Sequence, residues 1–225
     1  RYLGEYVAPH DEMLAWLTGF TGSAGFAVVT QDIAYLYTDG RYQVQGEKEL
    51  RNSGFTLRHS AKDKFHEDLE AGKTAGGKLA FDPWLHSVDC HKQTEKKFAN
   101  RKWQLTPLQQ NPVDLLWHDR PPAPANPAYA HPLEFAGEAS TDKCTRIGRE
   151  MAAQHVDAEF INDPTLVAWL LNMRGNDVPH IPIAHARAIL HASGAVELFI
   201  EKAKQPAPTP HILARPPGEI PQALG

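Results

Sequence analysis

Short blocks of apolar residues along this chain predict small strands separated by helices. FAVVT and IAYLYT flank residues 31–32, and ARAILHA and AVELFI flank residues 193–194. Apolar, β-branched runs of this length joined by turn residues predict two β-hairpins. Each hairpin follows an apolar stretch with helical spacing, for which Asp11 and the pair Asp163-Pro164 provide start signals. The pattern therefore predicts the order helix, strand, strand at two places.

The two predicted units share sequence as well as order. EMLAWLTGF at residues 12–20 matches TLVAWLLNMRG at residues 165–175, which aligns Trp16 with Trp169. An internal repeat whose copies share the same element order indicates two related domains. We expect both tryptophans to anchor the hydrophobic core of their own domain.

Further alternation on both sides of the hairpins fixes the fold class. Helical patterns at 42–50, 62–71 and 87–98 are interleaved with the strand patterns FTLRH, KLAFD and WQLTPL. Helix 140–155 and strand AEFI come before the second copy. Alternating strands and helices predict an α/β fold, with an open sheet that is part hairpin and part parallel in each domain.

A proline-rich stretch separates the two copies. Residues 118–137 predict a stiff linker, because prolines favour extended geometry and provide no backbone donors. The predicted domains are therefore 1–117 and 138–225. Both are expected to be trimmed, since the first copy lacks an opening helix and strand and the second ends soon after its hairpin.

Composition and charge exclude several classes of function. The 225 residues carry a formal net charge of −4 with mixed signs, which gives no electrostatic basis for a nucleic-acid partner. No apolar run approaches the roughly 20 residues needed to cross a bilayer, so we expect no membrane insertion. Cys90 and Cys144 lie far apart, and we expect both to be reduced thiols in a cytoplasmic protein.

The stretch LTGFTGSAGFAVVT raises three chemical alternatives, and each fails on spacing or context. A phosphate loop requires a lysine after the glycines, and a dinucleotide fingerprint must follow a strand and open a helix. A nucleophile elbow requires G-x-S-x-G, whereas Gly22 directly precedes Ser23. The spacing of Gly19, Gly22 and Gly25 therefore favours a structural role, a tight turn from helix to strand.

The residues alone reveal no catalytic constellation. The 12 histidines include no H-E-x-x-H, because HEDLE at 66–70 ends in Glu70. Neither cysteine belongs to a C-x-x-C pair, and the carboxylates are scattered. We therefore predict no catalytic residue and no metal ligand in this chain.

Several long motifs nevertheless resemble one family. GEYVAPHDEMLAWLTGFTGSAGFAVVT, YTDGRYQVQ, DPWLHSVD, NPVDLLWHDRP, HPLEFAGEASTDK and DPTLVAWLLNMRGNDVPHIPI follow, in order, the N-terminal half of three-domain Xaa-Pro aminopeptidases (aminopeptidase P) of the creatinase/prolidase group. The resemblance covers almost the whole chain. It implies two tandem creatinase/prolidase N-terminal domains, each with a ribonuclease H-like mixed sheet flanked by helices.

The resemblance also implies a chemistry for the complete protein. Family members cleave the bond between an N-terminal residue and a following proline, using two divalent metal ions, commonly manganese. Those ligands belong to a C-terminal domain that is absent from this chain, so the chain alone is expected to hold no cofactor and to be inactive. The expected partners are peptides with proline second and a second copy of the protein, in the cytoplasm.

One residue is expected to contact substrate. The DGRY motif at residues 39–42 matches a family segment whose arginine points toward the catalytic cleft, which assigns substrate binding to Arg41. A guanidinium fork can hold a peptide carbonyl or carboxylate by charge-assisted hydrogen bonds. The alternative is an ordinary exposed side chain at a turn, paired with Asp39.

Two other functions remain open at this stage. The chain could be a stand-alone binding or regulatory module without a metal domain. It could also be the N-terminal region of another hydrolase of the same group, acting on creatine-like or dipeptide substrates. The tandem arrangement favours aminopeptidase P, because the other members are expected to carry one such domain.

Overall fold

The computed structural model describes residues 4–72, 76–99 and 101–225, and these form two compact units. The first unit is His10–Pro121. The second is Pro122–Gly225 together with residues 4–9. The division falls inside the proline-rich segment that predicts the linker.

The first unit is α/β and begins with the predicted hairpin. Its strands are β1 (Gly25–Val29), β2 (Ala34–Thr38), β3 (Thr56–His59), β4 (Gly77–Phe81) and β5 (Trp103–Pro107). β1 and β2 are antiparallel, with Phe26 opposite Tyr37, and β3 runs parallel to β2. β4 and β5 form a separate parallel pair. The prediction of a single open sheet is therefore wrong for this unit, whose described strands form one sheet of three and one of two.

Helices and a shared apolar core hold the two sheets of the first unit together. The helices are α1 (Met13–Thr18), α2 (Gln43–Glu49), α3 (Phe65–Ala71), α4 (Val88–Phe98) and α5 (Pro112–Leu116). Val28 and Tyr37 from the first sheet pack with Leu69 of α3, Phe98 of α4 and Trp103 of β5. The two sheets thus need no strand-to-strand bonds to form one unit, because burial of these side chains is enough to join them.

The second unit has the mixed sheet that the alternation predicts. Its strands are β6 (Tyr129–Ala130), β7 (Ala158–Ile161), β8 (Met173–Arg174), β9 (Arg187–His191), β10 (Val196–Phe199) and β11 (Ile212–Arg215). The four-stranded sheet has the order β11-β10-β9-β7. Its β9-β10 hairpin is antiparallel, as predicted, and β11 runs parallel to β10. β6 and β8 form a short antiparallel pair.

The helices of the second unit surround a large apolar core. They are α6 (Leu133–Ala136), α7 (Ser140–Ala153), α8 (Pro164–Leu170) and α9 (Ile220–Ala223). α7 and α8 contribute Cys144, Val167 and Leu170 to this core, where they pack against Leu190 and Leu198 of the hairpin. Burial of the thiol raises the pKa of Cys144.

The two repeated helices differ in how they begin. The Asp163 side chain accepts a hydrogen bond from the backbone N–H of Thr165, and Pro164 is the first residue of α8, which confirms that prediction. The prediction that Asp11 caps α1 is wrong, because α1 begins at Met13. Asp11 instead ends a short 3-10 turn, and its carboxylate lies 3.5 Å from the Arg120 guanidinium. The carboxylate therefore pairs with a charged side chain and not with the backbone of α1.

Neither repeated tryptophan is a core anchor, so that prediction is wrong. Trp16 is 36% exposed and Trp169 47% exposed. Trp16 stacks on Trp117 with ring centroids 5.6 Å apart. Trp169 covers the buried Lys143 ammonium, whose Nζ lies 4.5 Å from the ring centroid. Each indole buries one face against a neighbour inside its own unit and leaves the other face open.

The glycine-rich stretch turns the chain from α1 to β1, which confirms the structural interpretation. Gly19 ends α1 with φ 81°, a left-handed conformation, and its N–H bonds to the carbonyl of Ala15. Gly22 packs so tightly that an added Cβ would lie 2.3 Å from Cζ of Phe20 and 2.9 Å from Cδ1 of Tyr42. Phe20 is buried and has no room to withdraw.

Replacing Gly22 by alanine is therefore expected to lower the free energy of unfolding by about 1–3 kcal/mol, the usual cost of overpacking. The measurement is urea unfolding of the 225-residue chain. Gly218→Ala is the matched control, because nothing lies within 4 Å of the added Cβ there. Equal midpoints for the two variants would contradict the close packing of this turn.

A partly buried histidine, His211, predicts that acid weakens the second unit. Nε2 of His211 bonds to the Ser140 hydroxyl at 2.9 Å, and burial lowers the pKa of His211. The unfolded chain therefore binds more protons than the folded chain below the usual histidine pKa of about 6.5, so stability is lost as the pH falls. His66 and His86 of the first unit contribute with the same sign.

We expect the urea midpoint to fall between pH 7.5 and pH 5.5, and to fall less in His211→Gln. Glutamine keeps a polar group near Ser140 but does not titrate. His155→Asn is the control, since His155 is exposed. If His211→Gln and His155→Asn lost the same amount of stability on acidification, His211 would not be the cause of the pH dependence.

Candidate functional site

The DGRY turn lies at the C-terminal end of β2 and is held on both sides. Thr38, the last residue of β2, is buried, and its hydroxyl donates to the carbonyl of Ala24 at 2.5 Å. Asp39 then caps the 3-10 turn Gly40–Tyr42 by accepting a hydrogen bond from the backbone N–H of Arg41 at 2.9 Å. Because a buried strand end and a capped turn flank it, the position of Arg41 is well defined.

Arg41 is the predicted substrate-binding residue, and its guanidinium is hydrogen-bonded although its side chain is 64% exposed. Nη2 donates to Oδ2 of Asp39 at 2.8 Å, and Nε donates to Oδ1 at 3.1 Å. Cζ lies 5.2 Å from the centroid of the Tyr42 ring. Arg41 is therefore paired with Asp39, as the alternative to substrate binding predicts. The same hydrogen bonds fix the orientation of the guanidinium in this structure.

Sequence reasoning did not identify Ser23 and Tyr42 as neighbours of this site. The Tyr42 hydroxyl and the Ser23 Oγ are 2.8 Å apart, and the Tyr42 ring meets Phe20 edge-on at 5.7 Å. Ser23 thus bonds to the phenol whose ring lies against the Arg41 guanidinium. The signal was present in the glycine spacing, because Gly22 lets Phe20 and Tyr42 approach this closely.

A second set of hydrogen bonds fixes the glycine-rich loop beside the turn. The Glu49 carboxylate at the end of α2 accepts from the backbone N–H of Thr21 at 2.9 Å and from its hydroxyl at 2.7 Å. Nε2 of Gln45 donates to the same carboxylate at 3.1 Å. The hydrogen bonds from Thr21 and Gln45 lower the pKa of Glu49. These bonds tie the glycine-rich loop to α2, the helix that follows the DGRY turn.

The described residues do not fit a metal centre. Within residues 4–72, 76–99 and 101–225, no group of three or more His, Cys, Asp or Glu side chains is arranged to hold a metal ion. Sγ of Cys90 lies 3.8 Å from Nδ1 of His86. Over the same ranges, no helix has both the length and the apolar character that crossing a membrane requires.

Sequence comparison decides the family. Two profiles described as "Creatinase/Prolidase N-terminal domain" match residues 4–114 and residues 119–218. The chain belongs to the creatinase/prolidase N-terminal domain family. It consists of two such domains in tandem, which confirms the resemblance drawn from the motifs and the internal repeat.

The relatives of these creatinase/prolidase N-terminal domains are named as aminopeptidases. Aminopeptidase P1 of Lotus japonicus is 34% identical over 200 residues, which is 89% of this chain and 30% of the relative. Xaa-Pro aminopeptidase 2 of Homo sapiens is 33% identical over 206 residues, or 90% of this chain and 30% of the relative. The chain thus spans about a third of the length of the curated relatives it matches.

A similar solved structure is the X-prolyl aminopeptidase from Caenorhabditis elegans, described as a cytosolic enzyme with a di-nuclear active site. The two structures superpose with a TM-score of 0.90 at 27% sequence identity. The matched part is 98% of this chain and 37% of the Caenorhabditis elegans chain. The fold of this chain is therefore similar to that of a part of an X-prolyl aminopeptidase.

Proposed function

We propose that this chain is the non-catalytic, substrate-facing region of an Xaa-Pro aminopeptidase, in which Arg41 binds the peptide. The observation that carries the proposal is the exposed Arg41 fork, held by Asp39 and Tyr42, in the first of two domains whose relatives are Xaa-Pro aminopeptidases. In this role the two domains narrow access to the catalytic cleft of the full-length protein. They select peptides by length and by the chemical group that binds to Arg41.

The substrate class is a peptide with proline at the second position. The bond before proline is a tertiary amide without an N–H, so a site that relies on a hydrogen bond from that group does not bind it. Arg41 suits this substrate because it donates hydrogen bonds to carbonyl oxygens and needs no donor in return.

The proposal places the metal ions in a part of the full-length protein outside this chain. Two divalent ions, manganese in our proposal, would polarise the scissile carbonyl and activate water. Since the described residues do not fit a metal centre, the ligands would lie in sequence outside this chain. No step of the reaction is assigned to residues of the two domains.

Location and assembly are further parts of the same proposal. The Caenorhabditis elegans neighbour is described as cytosolic, which supports a cytoplasmic location for this protein. Exposed thiol Cys90 suits a reducing compartment. A homodimer is the proposed assembly, and sedimentation velocity of the full-length protein is the measurement that tests it.

The test is hydrolysis of matched peptides by the full-length protein. Ala-Pro-Ala and Ala-Ala-Ala differ only at the second position, and we expect release of free N-terminal alanine from the first alone. Cleavage of only dipeptides would favour another hydrolase of the group. Failure to cleave any of these peptides, with and without added manganese, would favour a binding module and overturn the proposal.

A further inference from the structure

Asp39 engages Arg41 through three donors of that one residue. Its Oδ1 accepts from the backbone N–H at 2.9 Å and from Nε at 3.1 Å, and its Oδ2 accepts from Nη2 at 2.8 Å. A long exposed side chain ordinarily samples many rotamers, and ordering it carries an entropic cost. Here the bonds to Asp39 favour one placement of the guanidinium, which lowers the further cost of ordering it around a ligand.

The carboxylate that orders Arg41 is itself fixed by its neighbours. The backbone carbonyl of Asp39 accepts from Nε2 of Gln43 at 3.2 Å, and the preceding Thr38 is tied to Ala24 across the hairpin. On the other side, the Tyr42 ring packs against the guanidinium and is anchored through its hydroxyl to Ser23. These backbone and ring contacts surround the ion pair but do not involve the Asp39 side chain. A side-chain substitution at position 39 therefore leaves them in place.

The pairing also sets the charge that a ligand meets. Hydrogen bonds from the Arg41 side chain and backbone hold the pKa of Asp39 below its usual range, so the carboxylate is ionised at neutral pH. A ligand carboxylate near the same guanidinium would be repelled by this charge, whereas a neutral carbonyl would not. Repulsion of one ligand class is a common source of specificity.

We propose that Asp39 is the positioning and specificity-determining residue of the Arg41 site. It fixes the guanidinium fork and compensates its charge, so that the fork receives a neutral peptide carbonyl in preference to a free carboxylate. The favoured ligand is a peptide whose proline is followed by another residue or by an amide. This inference rests on the proposed function, because it concerns the peptide that Arg41 binds.

The test uses the full-length protein and two substrates that differ by one charge. Ala-Pro carries a free carboxylate on proline, and Ala-Pro-amide carries a neutral carbonyl there. We expect the wild-type protein to prefer the amide, as measured by kcat/KM. We expect Asp39→Asn to reduce that preference about 5-fold, the effect of one unit charge roughly 4 Å away through water.

Asn and Asp cap turns equally well, so the variant should fold with an unchanged unfolding midpoint. Asp89→Asn is the matched control, because it removes one exposed carboxylate at the start of α4 in the same domain. This control should leave the ratio of the two kcat/KM values unchanged. In an Arg41→Ala background, Asp39→Asn should also leave the ratio unchanged, since without the guanidinium the ligand group is no longer held beside the Asp39 carboxylate.

The outcomes separate this inference from the proposed function. An equal loss of kcat/KM on both peptides, or no change in the ratio, would show that Asp39 has only a structural role and would overturn the inference, while Arg41 could still bind substrate. A shift in the ratio that persists without Arg41 would also overturn it. Absence of any Xaa-Pro cleavage by the wild-type protein would instead overturn the proposed function.

Discussion

Lys204→Met is expected to lower the free energy of unfolding of this chain by about 3–5 kcal/mol, the usual effect of removing one partner of a buried ion pair. Nζ of Lys204 contacts Oδ2 of Asp177, and the two side chains are only 3% and 0% exposed. The same carboxylate oxygen accepts from the backbone N–H of His185 at 2.5 Å. Without the ammonium, a buried carboxylate would lose its counter-charge.

The pair also joins two irregular segments of the second unit, so its loss should lower the stability of the whole unit. The backbone N–H of Asp177 bonds to the carbonyl of Ile183, and the carbonyl of Lys204 accepts from Ala128. Urea unfolding is the measurement, with Lys202→Met as the matched control because Lys202 belongs to the same 3-10 turn and is exposed.

A double variant shows whether charge or packing causes the loss. Asp177→Leu combined with Lys204→Met replaces both charges by apolar groups, and such replacements are often neutral or stabilising. We therefore expect the double variant to be more stable than Lys204→Met alone. If Lys202→Met and Lys204→Met had the same midpoint, the buried pair would contribute nothing to folding.

Arg41→Ala in the full-length protein is expected to lower kcat/KM for Ala-Pro-Ala about 10- to 100-fold, the range for losing a hydrogen bond to a charged group. Folding should be nearly unaffected, since the side chain is 64% exposed. Arg41→Lys should restore only part of the rate, because an ammonium keeps the charge without the planar fork.

Arg51→Ala is the matched control for this loss. Arg51 is an exposed arginine of the same domain in the turn after α2, so its removal changes the net charge of the domain by the same amount. Its kcat/KM should stay at the wild-type value. Equal losses in the two variants would mean that Arg41 acts only through long-range charge, and unaltered kinetics in Arg41→Ala would exclude it from the site.

Local signals in the sequence were enough to predict most elements and both hairpins. β1 and β2 pair as the FAVVT and IAYLYT patterns indicate, and Asp163 with Pro164 starts α8 as predicted. The turn from α1 to β1 follows from glycine spacing alone, because only glycine accommodates both the left-handed Gly19 and the contact at Gly22. These features depend on neighbours in sequence, which a pattern can show.

The errors concern partners that are distant in sequence. Asp11 looks like a helix cap, but Arg120 is its charge partner, and Trp16 looks like a core residue, but Trp117 stacks on it at the surface. The first unit has two sheets instead of one, and the core side chains that join them come from elements far apart in sequence, which no local pattern describes. Burial of Lys204 depends on Asp177 in the same way.

The substrate-binding role of Arg41 stays a prediction, drawn from the DGRY motif through resemblance. The Asp39 pairing was foreseen as the simpler alternative, and the structure contains it. The support from Tyr42 and Ser23 was not foreseen, because it requires the glycine-rich loop to lie against the turn. Two residues that are 19 positions apart meet there only in the folded domain.

The most direct measurement is a crystal structure of the full-length protein with an uncleavable Xaa-Pro peptide analogue that continues beyond proline. We predict a guanidinium nitrogen of Arg41 within about 3 Å of a carbonyl oxygen of the analogue, the distance of an N–H···O hydrogen bond. We also predict that Asp39 is still paired with Arg41. An analogue bound at the catalytic centre without contact to Arg41 would contradict the proposed role of this region.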